Sequence, residues 1–368
     1  MRFSTMIMLA YAIPHIYLFF RLWMLFIAKK HRLAYVLVYI GIASIFPLSN
    51  VIGSVPVRHW LDIVSTYLLP CYLYLFLATL TFDIFLFCNL FLKVLSKDRR
   101  KSPRFRKYAL FSLIFASVVV VVCGVINFNT IRISEYTIEM PARLSNAENL
   151  KIVFVADFHI DTDTPEDFIR RFVTKTNNLK PDIVLFGGDI VEGRNTHDLQ
   201  SRTEILTQIS AKYGAYSVLG NHERYRRQEK GDFFDNAGIT LLRDTVVVIG
   251  NEFCLAGRLD GSSAGRKTVN ELLEMAVDTL PLVMLDHQPT EFAEVIASKT
   301  DIRLSGHTHN GQMFPINLML NRMYELSYGY RKIENTHFFV TSGIRLWRYP
   351  IRTAGKSEIM LINIEFVK

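Results

Sequence analysis

Two different patterns of apolar and polar positions divide the chain. Through the first third, apolar residues run almost unbroken over residues 7–28, 34–55, 67–92 and 108–126. Each run approaches or exceeds the roughly 20 residues that carry a helix across a hydrocarbon core, so four transmembrane helices are expected within residues 1–127. After residue 126 the pattern becomes short. Residues 131–138 alternate apolar with polar, as a half-buried strand does. Apolar runs at 152–156, 183–186, 215–219, 246–249, 253–256, 282–285, 302–304, 338–341 and 359–364 then read as strands, with helices at 164–178 and 197–209. Thr164, Pro165 and Asp167 form the start signal of the first of these helices. Strands interleaved with crossover helices predict an α/β domain over residues 128–368.

Composition fits this division. Half of the 368 residues are hydrophobic, 21% are charged and the mean hydropathy is +0.20, which excludes a disordered chain. The net charge of +8 is not a nucleic-acid footprint. Residues 1–127 hold 14 Lys/Arg against three Asp/Glu, a net +11, and the remainder holds 28 against 31, a net −3. The basic excess follows the apolar helices and reports on topology. Lys29, Lys30 and Arg32 follow the first run, and eight cations between Lys93 and Lys107 follow the third. Only Arg2 and Arg58 mark the opposite side, so a multi-pass cell-membrane protein with its last 240 or so residues outside the cytoplasm is expected. The 97–107 run reads first as a solvated orientation signal and second as a contact for anionic lipids. Asp83, Arg21 and His15 lie inside the apolar runs, and pairing of Asp83 with Arg21 is the simplest way to keep them there. Four cysteines, three of them in apolar runs, predict no internal disulfide.

The chemistry-bearing residues collect at the ends of predicted strands. Asp157-Phe158-His159, Gly188-Asp189, Gly220-Asn221-His222-Glu223, Asp286-His287 and Gly306-His307-Thr308-His309 each closely follow an apolar run and together hold five of the ten histidines. Ligands of open α/β sheets bind at the carboxyl ends of the strands. Carboxylates with neutral imidazoles and no thiolate suit two divalent or mixed-valence transition-metal ions, Mn, Zn or Fe. If the strand conformation persists through Asp157-x-His159 and His307-x-His309, alternation presents both side chains of each pair to one cavity. Glu223 has two readings, orienting an imidazole or sitting at a helix N-terminus favoured by the dipole. His197 and His337 read as surface or packing histidines, and Cys254 as inert core.

The ordered set DxH, GDxxxG, GNHE, H and GHTH resembles the calcineurin-like metallophosphoesterases, over most of residues 150–368. GNHERY, DHQPTEF, SGHTHNGQMFP and TSGIRLWRYPIRTAGKSEIMLI are similar to the bacterial membrane-associated branch of that superfamily. Asn310 and Arg345 stand where that branch commonly has glycine. The resemblance implies a four-layer α/β/β/α sandwich with a dinuclear centre. Asp157, His159 and His309 would take one metal, and Asn221, His287 and His307 the other. Asp189 would bridge the two, and His222 would act on the phosphate and the leaving group. Hydrolysis of phosphate mono- or diesters by a metal-activated hydroxide is the implied activity. Arg345, Arg348 and Arg352 either bind the substrate's anion or pair with carboxylates. The competing reading, from another class, is a membrane transport or signalling protein with a non-catalytic metal-binding module; the intact ligand set disfavours it. The short connection after residue 126 points to membrane lipids or a lipid-linked phosphoester as the partner, with no nucleic acid and no obligate protein partner evident. Ile316, Met319, Leu320 and Met323 recur at helical spacing, either packing on the domain or dipping towards lipid.

Overall fold

A computed structural model describes residues 3–51, 55–141, 148–192, 199–224, 231–346 and 349–367. The chain divides into two compact units, Met1–Ile126 and Asn127–Lys368.

The first unit is helical: α1 (Phe3–Phe26), α2 (Arg32–Val51), α3 (Val55–Leu92), the short α4 (Lys97–Lys101) and α5 (Pro103–Asn129), whose last three residues belong to the second unit. Three segments are long and apolar enough to cross a membrane, Lys29–Ser49, Val57–Leu92 and Pro103–Asn129, and Tyr11–Phe26 is a shorter apolar helix. The expectation for α3 was too short. The helix begins twelve residues before the apolar run, because Arg58, His59 and Asp62 continue the helical turn without interrupting it; Arg58 and Asp62 pair at one-turn spacing, 3.7 Å apart. The charges within the apolar helices are paired as expected. Arg21 donates two 2.5 Å hydrogen bonds to the Asp83 carboxylate, and the Tyr17 hydroxyl donates to the same group. All four cysteines are free thiols.

The second unit is a mixed α/β domain. Its strands are β1 (Arg132–Pro141), β2 (Asn149–Val155), β3 (Ile183–Phe186), β4 (Ala215–Ser217), β5 (Ile239–Leu241), β6 (Thr245–Ile249), β7 (Phe253–Gly257), β8 (Leu282–Leu285), β9 (Ile302–Ser305), β10 (Gly329–Ile333), β11 (Thr336–Val340) and β12 (Glu358–Val367). They form two six-stranded sheets, ordered β1-β12-β2-β3-β4-β5 and β10-β11-β9-β8-β7-β6. Strands β2 to β5 run parallel, as do β7, β8, β9 and β11, so each group delivers its carboxyl ends to one edge. Short helices connect them: α6 (Glu166–Asn178), α7 (Gln200–Leu206), α8 (Asn221–Arg224), α9 (Gly231–Asn236), α10 (Val269–Leu273), α11 (Phe292–Ile296) and α12 (Ile316–Met323).

Three apolar clusters hold the domain. Ile152, Phe154 and Leu185 of the first sheet pack with Leu255, Val283 and Leu304 of the second. Phe168, Ile169, Phe172 and Val173 make one face of α6 and cover Val153, Val155 and Val184 on the first sheet. Burying each of these side chains contributes roughly 1.5–3 kcal/mol. Val269, Leu272, Phe292 and Val295 of α10 and α11 cover Cys254, Met284 and Phe338 on the second sheet. Helix α6 starts after Pro165 without a side-chain cap; the Thr164 hydroxyl donates instead to the Asp161 carboxylate. Helix α12 has no buried residue, and Met319 and Met323 are 63% and 71% exposed.

Candidate metal centre

The carboxyl ends of both sheets meet in one acidic and imidazole-rich cluster. Strand β2 leads to Asp157 and His159, β3 to Asp189, β4 to Asn221 and His222, β8 to His287, and β9 to His307 and His309. Among the described residues three ligand groups form: Asp157, His159 and His309; His159, Asp189 and His222; and Asp189, His287 and His307, the potential ligand atoms of each lying within 4.8 Å of one another. His159 and Asp189 each belong to two groups. Asn221 joins the third, with its side-chain oxygen 2.8 Å from His307 Nδ1 and 3.2 Å from His287 Nε2. The seven expected ligands and His222 therefore converge.

They do not converge by strand alternation. Strand β2 ends at Val155, and Asp157 and His159 both have positive φ, 55° and 49°. His307 and His309 follow β9 with φ of 71° and 50°, and Asp189 follows β3 with φ of 54°. Such left-handed non-glycine residues cost of order 1–3 kcal/mol each and persist where surroundings over-determine them. Here the turns are tied to each other. The Asp157 amide donates to Gly188 O (3.0 Å), the His159 amide to Asp189 O (2.9 Å), and the His307 amide to Asp157 Oδ2 (3.0 Å). Two glycines are required by close approach. A Cβ on Gly220 would stand 2.1 Å from Asp189 Oδ1, and one on Gly306 would stand 2.5 Å from Asp157 Oδ2.

Glu223 lies in the first turn of α8, the second of its two readings, and its contacts go further. Its carboxylate accepts from the main-chain amides of Asp189 (3.0 Å), Val191 (3.1 Å) and Gly220 (2.7 Å), and also from Ile190, which clamps the Asp189 turn against the β4–α8 turn. Glu192, missed in the sequence, faces the imidazoles instead. Its Oε1 lies 2.9 Å from His159 Nδ1 and contacts His222 Nδ1. The signal was its place three residues after Asp189 inside GDxxxG, a position the motif leaves unspecified.

Arg352 departs from expectation. Arg352 is fully buried and donates to the carbonyls of Ser342 (2.6 Å), Gly343 (3.1 Å) and Arg345 (2.7 Å). It braces the segment before β12 rather than reaching for a substrate, and burial pulls its pKa down to about 10. The Arg345 guanidinium lies over the rings of Phe128 and Phe168, 5.2 and 5.1 Å from their centroids. Arg348 and His197 lie outside the described residues. His337 packs against Tyr330, whose hydroxyl is 2.9 Å from its Nδ1.

Electrostatics divide the imidazoles. Burial pulls His307 down to about 4, with repulsion from His287 adding to it, and burial beside His159 holds His309 well below the ordinary value. Burial also disfavours charge on His287, yet the Asp189 carboxylate lifts it well above normal. His222 is raised in the same way, burial being outweighed by Glu192 and Asp189. Burial lifts the Asp157 carboxyl to about 6, while Glu192, though buried, is held at about 2 by His159 and His222. The donor set fits a pair of divalent transition-metal ions. Carboxylates, imidazoles and one amide are gathered without a thiolate. His159 Nε2 and His309 Nε2 face each other at 3.4 Å with Asp157 Oδ1 3.6 Å from the latter, and His309 Nδ1 is buried without a hydrogen-bond partner.

Comparison with known proteins agrees with this geometry. The model of the family described as calcineurin-like phosphoesterase matches residues 150–311. A protein of Aquifex aeolicus described as an uncharacterized metallophosphoesterase is 30% identical, over 64% of this chain and 92% of its own. Another so described, from Campylobacter jejuni, is 29% identical over 83% of this chain and 82% of its own. A Danio rerio protein described as a transmembrane protein with a metallophosphoesterase domain is 29% identical over 83% of this chain and 74% of its own. Coverage of 83% is more than residues 127–368 alone can supply, so these last two similarities extend into the apolar helices.

Proposed function

Because the chain belongs to the calcineurin-like metallophosphoesterases, we propose that it is a membrane-anchored hydrolase of phosphate mono- or diesters. We read its three apolar clusters as the α/β/β/α order of layers, and α1, α2, α3 and α5 as four membrane passes. The observation that carries the catalytic reading is that Asp189 joins His287 and His307 in one ligand group and His159 in another, while His159 is also grouped with Asp157 and His309, so one carboxylate lies between the two proposed ion positions. Asp157, His159 and His309 would hold one ion, Asn221, His287 and His307 the other, and Asp189 both. When bound, the ions supply Lewis acidity to the phosphoryl oxygens and to a water.

The chain's own residues do the rest. Glu223 holds the Asp189 turn through three of its amides and the β4–α8 turn through that of Gly220, so the bridging carboxylate is positioned before any ion arrives. Glu192 faces His222 Nδ1 and favours the imidazolium, whose Nε2 proton can pass to the departing ester oxygen. The eleven basic residues of the two loops after α1 and α3, against Arg2 and Arg58, support a catalytic domain outside the cytoplasm.

The experiment is metal analysis of the purified full chain together with hydrolysis of bis(p-nitrophenyl) phosphate. Two ions per chain and turnover are expected, and Asp189→Ala should lose most of both. Wild-type activity with two ions retained in Asp189→Ala would refute the assigned centre. For sidedness, a phosphatase fused after the last residue should be active and a fluorescent protein there dark; the reverse pair of results would invert the topology.

A further inference from the structure

The helical unit contains a second feature, which the proposed catalysis does not use. A half-open cavity of about 360 Å³ lies among the end of α1, the last third of α3, helix α4 and the start of α5. Its apolar side is made by Phe26, Phe82, Leu86 and Phe105, with Phe82 within 6.2 Å of the Phe26 ring and 6.4 Å of the Phe105 ring. Its polar side is made by Lys97, Arg100, Lys101 and Arg106, and no carboxylate is among its lining residues. The walls are fixed by main-chain ties. The Asn89 side chain accepts from the Leu95 amide (2.7 Å) and donates to the Leu95 carbonyl (2.9 Å), folding α4 back under α3. Arg106 donates to the carbonyls of Met24 (3.0 Å) and Leu25 at the end of α1.

That leaves Lys97, Arg100 and Lys101 as a cationic rim, without a carboxylate among the described lining residues, over an aromatic floor, with Arg100 Nε buried and lacking a hydrogen-bond partner. Like charges this close repel unless an anion lies between them. A small soluble anion would answer the rim and leave the phenylalanines facing water. An amphiphile with an anionic head and an acyl chain answers both. The cavity also lies at the same end of three apolar helices, where the headgroup level of a bilayer would fall. We propose that this cavity binds one anionic phospholipid, its phosphate held by Lys97, Arg100 and Lys101 and the first part of an acyl chain laid against Phe26, Phe82 and Phe105.

The test is native mass spectrometry of the full chain, delipidated in a neutral detergent and titrated with dioleoyl phosphatidylglycerol, dioleoyl phosphatidylcholine or inorganic phosphate. One phosphatidylglycerol should be retained at least tenfold more tightly than phosphatidylcholine, and inorganic phosphate should not displace it. Arg100→Gln/Lys101→Gln should weaken retention on the order of 20-fold, since each basic residue near an anionic headgroup contributes about fivefold. Leu86→Trp, which fills the apolar side and keeps every charge, should also weaken it. Lys29→Gln/Lys30→Gln removes two cations that do not line the cavity and should change nothing. Equal retention of the two lipids, displacement by inorganic phosphate, or an equal loss from the Lys29/Lys30 change would each overturn the proposal. So would undiminished retention in both cavity variants.

Discussion

At Glu192 a single carboxylate serves two imidazoles with different work. It fixes His159, a proposed ligand, and charges His222, the proposed proton donor. The two functions separate on substitution. His222→Ala should leave metal content unchanged and lower kcat by about 10²–10⁴-fold on an alkyl phosphoester, the ordinary contribution of a general acid. The loss should be smaller on a nitrophenyl ester, whose leaving group needs no proton; equal losses on both would remove His222 from the acid role. Glu192→Gln tests the charge. Because Glu192 and Asp189 hold the His222 pKa above the usual imidazole value, the acid form persists and activity falls only as pH rises through that raised value. Removing one of the two carboxylates must lower the His222 pKa, so the alkaline limb of the kcat profile should move to lower pH. A limb that stays in place, or moves up, would show that another group titrates there.

At the scale of elements, what was legible was the pattern that burial imposes. Strands β3 and β8 coincide with their apolar runs, because a strand covered on both faces admits no polar residue. Strands β5 and β10 went unread for the opposite reason. Each is a sheet edge, three residues long in one case and carrying Arg331 and Lys332 in the other, where pairing with one neighbour tolerates polar side chains. The proposed ligands were legible as residue types after strands, but their geometry was not. Alternation described Asp157 and His159 as strand residues, whereas left-handed turns bring them together, and φ leaves no trace in a non-glycine sequence. Arg352 misled because a basic residue near a motif looks the same whether it faces an anion or buried carbonyls. The β4–α8 turn gives a direct test of how tightly such turns are packed. Gly220→Ala places a Cβ 2.1 Å from Asp189 Oδ1, so the carboxylate must move. Metal content and activity should both collapse while far-UV circular dichroism stays native; a fully loaded, active variant would mean that the turn relaxes without cost.

The whole molecule joins a metallophosphoesterase-family domain to apolar helices by very little chain. Helix α5 runs to Asn129 and β1 begins at Arg132, so two residues lie between them, spanning at most about 7 Å when extended. So short a tether restricts how far the first strand can stray from the end of the last apolar helix, and we read it as pointing to a substrate at the bilayer surface over one diffusing in bulk water. Helix α12 adds an independent reason. It follows the GHTH turn, packing on the domain leaves none of its residues buried, and Ile316, Leu318, Met319 and Met323 all face outward. An exposed apolar helix of this kind next to a proposed active site is suited to contact the acyl–headgroup boundary. The lipid-borne reading therefore predicts a preference that a soluble phosphoesterase would not show. Hydrolysis of a phosphoester lipid in vesicles should exceed hydrolysis of its water-soluble headgroup analogue in kcat/KM. Met319→Asp/Met323→Asp should cut the vesicle rate by about tenfold, a loss that two charges at a lipid interface readily cause, and leave the soluble analogue unaffected. Equal efficiency on both substrates, unchanged by the double substitution, would leave a tethered phosphoesterase whose substrate is not drawn from the membrane.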